Sequence, residues 1–393
     1  MRHLRSLLNR LSLSAAGERA RHVIELALSD RCYPLILALG GVVLLVKLVR
    51  EVITHEMAYL YLEYLVDYEF GFIRRGLAGE LLSLALPRLT HVHVKVLAVA
   101  TIAMAFGAYL AMFARRFGLR RRELPLLVCT IVSPCVFKNF AHDLPRLDVL
   151  GFLGAILALW LPVNRAYSLT LGAVCCLLGV LHEGQFLTYV PVIAAIAALR
   201  LLAQPDRPTG LPWREVLALL AILVTFLLVL RFGGADVPQD VFLAHVRAKA
   251  VDSVIDRTFI WYTDIAGNMR VALTAQYLWP QLYRSPVYLL ILVAHLPLLC
   301  LVRGELRDAP RQLRAALWVG LLAVTAGGLV MSMIGHDRAR FFANGLTGII
   351  LIVHAVRLVR PQADPELDSL RTQPAMAAAW VLAVFSRVGL MTP

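Results

Sequence analysis

The chain has 393 residues, of which 59% are hydrophobic and 17% charged, and its mean hydropathy is +0.71. A soluble protein has about 45–50% apolar and about 25% charged residues, so this composition excludes an ordinary water-soluble domain. The formal net charge of +13 would suit a nucleic-acid partner. We exclude one because the arginines cluster in short connections between apolar runs and leave no separate basic face.

Apolar runs that approach or reach bilayer length follow one another along the chain. A span needs about 17–25 apolar residues, and the bilayer interior favours helices because they pair their own backbone groups. The sequence therefore predicts an all-α fold, a polytopic transmembrane bundle of about 10–11 spans. The predicted spans are 34–50, 93–114, 125–140, 149–163, 168–182, 186–203, 214–231, 286–302, 315–334 and 341–358, with 376–391 as a weaker eleventh.

The chain divides into three regions on this pattern. Residues 1–33 are basic and partly amphipathic, which predicts a helix on the anionic cytoplasmic leaflet. Residues 34–358 form the transmembrane domain. Residues 359–393 form a C-terminal tail that could contain the eleventh span.

The arginines orient the bundle, because basic residues in short loops favour the cytoplasmic side. They occupy alternate connections, so the N-terminus is predicted to be cytoplasmic. The remaining connections would face outward: 51–92, 141–148, 182–185, 232–285 and 335–340. The fourth of these is far longer than an ordinary loop of about 4–6 residues, which favours a lid or binding element.

The first outer loop combines acids, bases and aromatic rings within 59–79. Its charged residues are Glu63, Asp67, Glu69, Arg74 and Arg75. A carboxylate here could act as a general base, with Asp67 first and then Glu69 and Glu63, and partial burial would raise its pKa toward neutrality. The alternative is that these acids simply pair with the two arginines.

Arg74 and Arg75, followed by Gly76, could bind phosphate, because a guanidinium matches phosphate oxygens and glycine allows close approach. They could equally be headgroup anchors. The segment Leu77–Leu86 has helical apolar spacing and stops before Pro87. It predicts an amphipathic helix in the membrane interface.

The other short outer loops supply further candidates for substrate or phosphate binding: His142, Asp143, Arg146, His182, Glu183, Asp337, Arg338 and Arg340. Several have plainer interpretations. Asp143 and Arg146 could form an ion pair, and Asp148 could be a helix N-cap. His182 could make an interhelical hydrogen bond, whereas Arg338 or Arg340 could neutralise a leaving phosphate.

The architecture resembles the GT-C class of membrane glycosyltransferases. The residues that carry the resemblance are Glu63, Asp67, Glu69 and the segment Leu77–Leu86 in a long first outer loop. Asp67-Tyr68-Glu69 only approximates the paired acidic signature of that class. Bacterial polysaccharide polymerases of the O-antigen type are similar as well, with arginine-bearing outer loops.

The resemblance implies a sugar donor linked to a polyprenyl phosphate, and a glycan or lipid-linked acceptor. It also implies a bacterial inner membrane, with the site facing the periplasm and membrane lipids around it. The acids could bind a divalent cation such as Mg²⁺ or Mn²⁺, but no ligand spacing requires one, so no metal site is assigned.

Three other functions stay open. A transporter or flippase of lipid-linked glycans would place ionisable residues in the middle of spans and repeat its halves. A membrane acyltransferase could use His142 with Asp143. A structural scaffold would need no site.

Overall fold

The structure is a computed structural model. It describes residues 18, 22–23, 29–54, 58–118, 120, 123–142, 144, 146–204, 212–254, 259–262, 270, 273–274, 279, 286–298, 309–334, 337–360 and 365–385. Most of the segment 1–33, with its predicted amphipathic helix, lies outside the described residues. Within the described residues the regular structure is helical, without strands, which confirms the all-α fold.

The α-helices are α1 (Tyr33–Thr54), α2 (Ala58–Leu62), α3 (Gly76–Ser83), α4 (His91–Phe117), α5 (Leu124–Val132), α6 (Phe137–His142), α7 (Asp148–Trp160), α8 (Tyr167–Leu181), α9 (Tyr189–Leu202), α10 (Trp213–Phe232), α11 (Gln239–Lys249), α12 (Phe259–Tyr262), α13 (Pro286–Leu298), α14 (Arg311–Ile334), α15 (Arg338–Val359) and α16 (Pro365–Phe385). Turns of 3₁₀ helix precede α1 at Asp30–Cys32 and α9 at Glu183–Phe186.

Among the described residues, six helical stretches are long and apolar enough to cross a membrane: α4, α5 with α6, the turn at Glu183 with α9, α10, α14 and α15. The helices α7, α8, α13 and the second half of α16 are apolar but shorter. The first predicted span coincides with α1, which exposes Leu35, Val42 and Leu45. The polytopic helical bundle is thereby confirmed.

The centre of the bundle consists of α5, α9 and α15, whose side chains are mostly buried. Around them, α14 packs against α9 and α15, and α10 packs against α8. The outer face of α10 presents Leu220, Leu223 and Leu227. An exposed leucine surface of this kind suits helices bordered by lipid.

The predicted span at 125–140 matches the stretch Leu124–His142, and within it the helix breaks at Pro134. Proline lacks an N–H and disfavours helical geometry at the residue before it, so α5 ends at Val132. The Lys138 ammonium donates to the Val132 carbonyl at 2.7 Å, and the Thr347 hydroxyl donates to the Cys135 carbonyl at 2.7 Å. These bonds satisfy backbone groups freed by the break.

Arginines at the end predicted to be cytoplasmic are used to complete the helices. Arg116 donates to the Trp160 carbonyl, and Arg200 donates to the Ala158 carbonyl at 2.5 Å, both in the last turn of α7. Arg357 holds Glu123 with two bonds of 2.8 and 3.0 Å. Arg116 and Arg200 thus satisfy helix carbonyls that lack intrahelical partners.

At the opposite end, the first predicted outer loop and the described part of the fourth pack together as one layer with its own apolar core. Tyr61, Leu65, Phe242, Val246 and Trp261 are buried together there. The backbone of Leu89 pairs with Lys249 and Val251 at 2.9 Å each. The predicted helix at Leu77–Leu86 is α3, which ends at Ser83; its place in the membrane interface stays a prediction.

Candidate functional site

Arg75 connects two of the predicted outer loops. Its guanidinium donates to Glu183 from Nε at 2.8 Å and from Nη2 at 2.7 Å, and Nη1 lies 2.5 Å from Glu63 Oε1. The backbone at Arg75 is left-handed, with φ of +64°. A guanidinium shared by two carboxylates is held in one orientation, so this site is rigid.

The first loop can reach Glu183 because α3 lies directly on the preceding chain. A Cβ placed on Gly79 would stand 2.0 Å from the Val66 carbonyl oxygen, so only glycine allows this approach. The Glu80 carboxylate accepts from the Tyr68 N–H at 3.1 Å. Arg75, at the start of α3, is positioned by these contacts.

A second arginine–carboxylate pair lies beside the first and was only partly predicted. Arg340 holds Asp148 through two hydrogen bonds, of which Nη2 to Oδ1 is 2.9 Å. Its Nη2 also lies 3.3 Å from His182 Nε2. The predicted N-cap role of Asp148 is wrong: α7 has Leu147 at its N-cap, and no side chain caps it.

A third pair joins the second and fifth predicted loops. Arg146 Nη1 lies 2.7 Å from Asp337 Oδ2, and Asp337 also accepts from the Arg340 N–H at 3.2 Å. Asp337 is therefore both the N-cap of α15 and the counterion of Arg146. Asp143, the other predicted partner of Arg146, lies outside the described residues.

These contacts assemble one group of side chains, which we name the outer network: Glu63, Arg75, Arg146, Asp148, His182, Glu183, Asp337 and Arg340. Its members come from four of the five predicted outer loops, the first, second, third and fifth. The prediction that these loops lie at one end of the bundle is confirmed. The pairing also means that each arginine of the network already has a carboxylate partner.

The other predicted residues that the structure describes make contacts with groups outside this network. His142 Nδ1 is 3.4 Å from Glu51 on α1, and Arg338 donates to the Ser332 carbonyl at 2.9 Å. Glu69 is exposed. For Arg74, the backbone N–H donates to the Gly233 carbonyl at 3.0 Å, and its own carbonyl accepts from the Trp261 indole at 2.9 Å.

Asp67 is bound by the fourth predicted loop rather than by Arg74 or Arg75. Its Oδ1 lies 3.0 Å from His245 Nε2, and its Oδ2 accepts from the Lys249 ammonium. Burial acts to raise the pKa of Asp67, but the hydrogen bonds from Lys249, the Glu69 N–H and His245 outweigh it and leave the pKa below its ordinary value. The predicted rise of this pKa toward neutrality is wrong.

His245, Lys249 and Asp148 are the residues that sequence reasoning did not assign to the site. His245 and Lys249 are four residues apart on α11, so both side chains lie on one helix face. That spacing was visible in the sequence, but nothing in it identified Asp67 as the partner. Asp148 was visible as well, yet its position at a helix start suggested a local role.

An apolar cavity opens next to the outer network. It has a volume of about 290 Å³ and lies between α3, α4, α7 and α8. The lining residues are Tyr64, Ala78, Leu81, Leu82, Leu97, Ala98, Thr101, Ile102, Phe140, Arg146, Leu147, Val149, Leu150 and Leu181. Arg146 therefore belongs to both the cavity wall and the network, and Tyr64 is the sequence neighbour of Glu63.

Two of the three first-loop acids that could have held a divalent cation are paired with basic side chains, Glu63 with Arg75 and Asp67 with Lys249. Among the described residues, no three His, Cys, Asp or Glu side chains are grouped so that they could hold a metal ion. The sequence-based suggestion that these acids could bind Mg²⁺ or Mn²⁺ is untested.

The apolar helices and the sequence comparison together define a polytopic integral membrane protein. Residues 32–259, more than half of the chain, match the model of the family described as uncharacterised membrane protein Rv1490. The chain belongs to that family. No curated protein and no solved structure matches it.

Proposed function

We propose that this protein is a membrane glycosyltransferase of the GT-C class. It would move a sugar from a polyprenyl-phosphate-linked donor to a glycan or lipid-linked acceptor, at the periplasmic face of a bacterial inner membrane. The N-terminus would then be cytoplasmic.

The observation that carries the proposal is the contact between the apolar cavity and the outer network. A lipid-linked sugar has an apolar chain joined to an anionic phosphate, so it needs an apolar groove that ends at a cation. Arg146 lines the cavity and is held at 2.7 Å by Asp337. An arriving phosphate could exchange with that carboxylate, because both present oxygens to the same guanidinium fork.

Arginine is also suited to the chemistry. The glycosidic bond forms when an acceptor hydroxyl attacks the anomeric carbon and the lipid phosphate departs with its electron pair. Arg146, aided by Arg340 and Arg75 in the same network, would stabilise the negative charge that develops on that phosphate. Asp67 lies on the same loop as Arg75 and is an ionised carboxylate near neutral pH, since its pKa is lowered.

Sugar transfer in proteoliposomes tests this function. The purified protein would be supplied with a radiolabelled polyprenyl-phosphate sugar and an acceptor glycan, and the new glycosidic bond would be detected by chromatography. Thr101→Trp places a large ring in the cavity wall, whereas Met104→Trp adds the same ring to the exposed face of α4. We expect transfer to fall at least tenfold in Thr101→Trp and to persist in Met104→Trp.

A transporter of lipid-linked glycans is the second candidate, and a specific observation favours it. His354, Thr347 and Asn344 follow one another along the buried face of α15, and His295 is buried on α13. Polar residues inside membrane helices are costly and often line a pathway. Movement of the labelled lipid across the vesicle membrane, without a new glycosidic bond, would support transport and overturn the transferase.

A further inference from the structure

Both oxygens of the Asp67 carboxylate are bound by a single helix. His245 Nε2 lies 3.0 Å from Oδ1, and the Lys249 ammonium donates to Oδ2. The two residues are one turn apart on α11, and Lys249 is 14% exposed. A carboxylate that is fixed on both sides by an imidazole and an ammonium is suited to orienting a neighbour.

This arrangement determines which nitrogen of His245 carries the proton. An ionised carboxylate only accepts hydrogen bonds, so Nε2 must be the protonated nitrogen when the imidazole is neutral. The lone pair is then on Nδ1. Among the described residues, Asp67 is the one hydrogen-bond partner of the His245 ring.

We propose that His245 is the base that accepts the proton of the acceptor hydroxyl, and that Asp67 is its positioning residue. This inference rests on the proposed function. A carboxylate behind an imidazole fixes the tautomer and stabilises the imidazolium that forms. Asp67 thus keeps a place in the reaction, although it does not itself take the proton.

The surroundings of His245 hold the ring firmly and leave it accessible. The Phe70 ring packs edge-on against the imidazole, with centroids 5.1 Å apart. On the same helix, Phe242 and Val246 are anchored in the apolar core of the outer layer. The side chain of His245 is still 24% exposed, so a substrate hydroxyl can reach it.

The pair formed by His245 and Asp67 is also close to Arg75 of the outer network. A Cβ on Gly76 would lie 3.2 Å from the Asp67 carbonyl oxygen, which puts the Asp67 backbone against the residue that follows Arg75. One loop therefore carries both the positioning carboxylate and an arginine of the network.

The proposed step conserves atoms and charge. The acceptor hydroxyl oxygen forms a bond with the anomeric carbon as the bond from that carbon to the phosphate oxygen breaks, and the phosphate leaves with the electron pair. The hydroxyl proton passes to Nδ1 of His245, giving an imidazolium paired with Asp67. Loss of that proton to water restores the neutral ring.

Among the described residues, the charged side chain in hydrogen-bond contact with the His245 ring is Asp67. The same carboxylate also accepts from the Glu69 N–H and from the Lys249 ammonium. The contact between His91 and Asp252 lies beyond the end of α11.

The decisive variant is His245→Gln. The glutamine amide can still donate to Asp67, so the link between the loops is kept, but it cannot accept a proton. We expect transfer to fall by about 10²–10⁴-fold, which is the usual contribution of general-base catalysis. Arg247→Gln, at an exposed position of the same helix, should keep the parental rate.

Two further measurements separate catalysis from a structural role. Added imidazole should restore part of the rate of His245→Ala, and nitrogen NMR of labelled histidine should show Nε2 protonated in the parent. Undiminished transfer by His245→Gln, or protonation at Nδ1, would overturn the base role alone. Absence of transfer by the parent protein with every lipid-linked sugar would overturn the proposed function and the base role together.

Discussion

The pair formed by Arg340 and Asp148 gives the sharpest test of the outer network, and the test does not depend on the reaction. The two side chains are 12% and 5% exposed and share two hydrogen bonds. Removing one member leaves the other as a buried charge without its counterion. Breaking such a pair costs about 3–5 kcal/mol, whereas removing both charges is often close to neutral.

The perturbations are Arg340→Met, Asp148→Asn and the two combined. We expect each single variant to lose about 4 kcal/mol, a change of about 10³ in the ratio of folded to unfolded protein. Domains of 150–250 residues shift their Tm by about 2–4 °C per kcal/mol, and longer chains shift less. Each single variant should therefore melt about 5 °C below the parent. The double variant should lose much less than the sum of the two single losses, because neither charge is then left buried without its partner.

Buried cysteines allow the unfolding of these variants to be followed. Cys129, Cys135 and Cys175 are buried and free, so a thiol-reactive fluorogenic dye reports when the detergent-solubilised bundle opens. Arg314→Met, at an exposed position of α14, is the control for the arginine-to-methionine change and should stay within about 0.5 kcal/mol of the parent. Small and additive losses in the two single variants would refute the buried pair.

The remaining predictions concern the first outer loop. Gly79→Ala should destabilise the fold by about 1–3 kcal/mol through overpacking, because its Cβ would meet the Val66 carbonyl at 2.0 Å. The control is Gly107→Ala, where nothing lies within 4 Å of an added Cβ, and a Tm of Gly79→Ala equal to that of the control would contradict the packing of α3. The pKa of Asp67 is lowered, so its ion pairs add stability above the unfolded-state value and lose it as the pH falls through the folded value. The Tm difference between the parent and Asp67→Asn, followed by tryptophan fluorescence, should stay constant from pH 7 to about pH 4 and become smaller below pH 4. An unchanged difference at pH 3 would show that the ion pairs of Asp67 do not cause the Tm difference.

The fold was largely predictable because long apolar runs leave the backbone few options in a bilayer. The details of the helices were less predictable where a single residue or a distant contact decides the outcome. Pro134 divides one apolar run into α5 and α6, and hydropathy alone does not register the missing N–H. The tail at 359–393 contains α16, whose Ala375 and Met376 are buried against the bundle.

The site was predictable only at the level of loops. Alternating arginines placed the polar connections at one end, and the structure joins them there. The partners were not predictable, since Arg340 and Asp148 are separated by 192 residues and each has a plausible local role. Asp67 illustrates the same limit. The other charged residues of its loop were visible in the sequence, but the residues that bind its carboxylate come from α11.

Arg75 supplies an independent argument for where the function lies. Among the described residues it is the one non-glycine with positive φ, a conformation that costs of the order of 1–3 kcal/mol. Glycine would adopt it without strain, and Gly76 stands immediately beside it. The arginine side chain must therefore contribute something that outweighs the strain, and what it contributes in the structure is the link between Glu63 and Glu183. At the opposite end of the bundle, Arg116 and Arg200 complete helix ends with ordinary backbone geometry. Strain concentrated at the charged end, in the residue that joins separate loops, is the pattern expected when a site is built at the expense of stability.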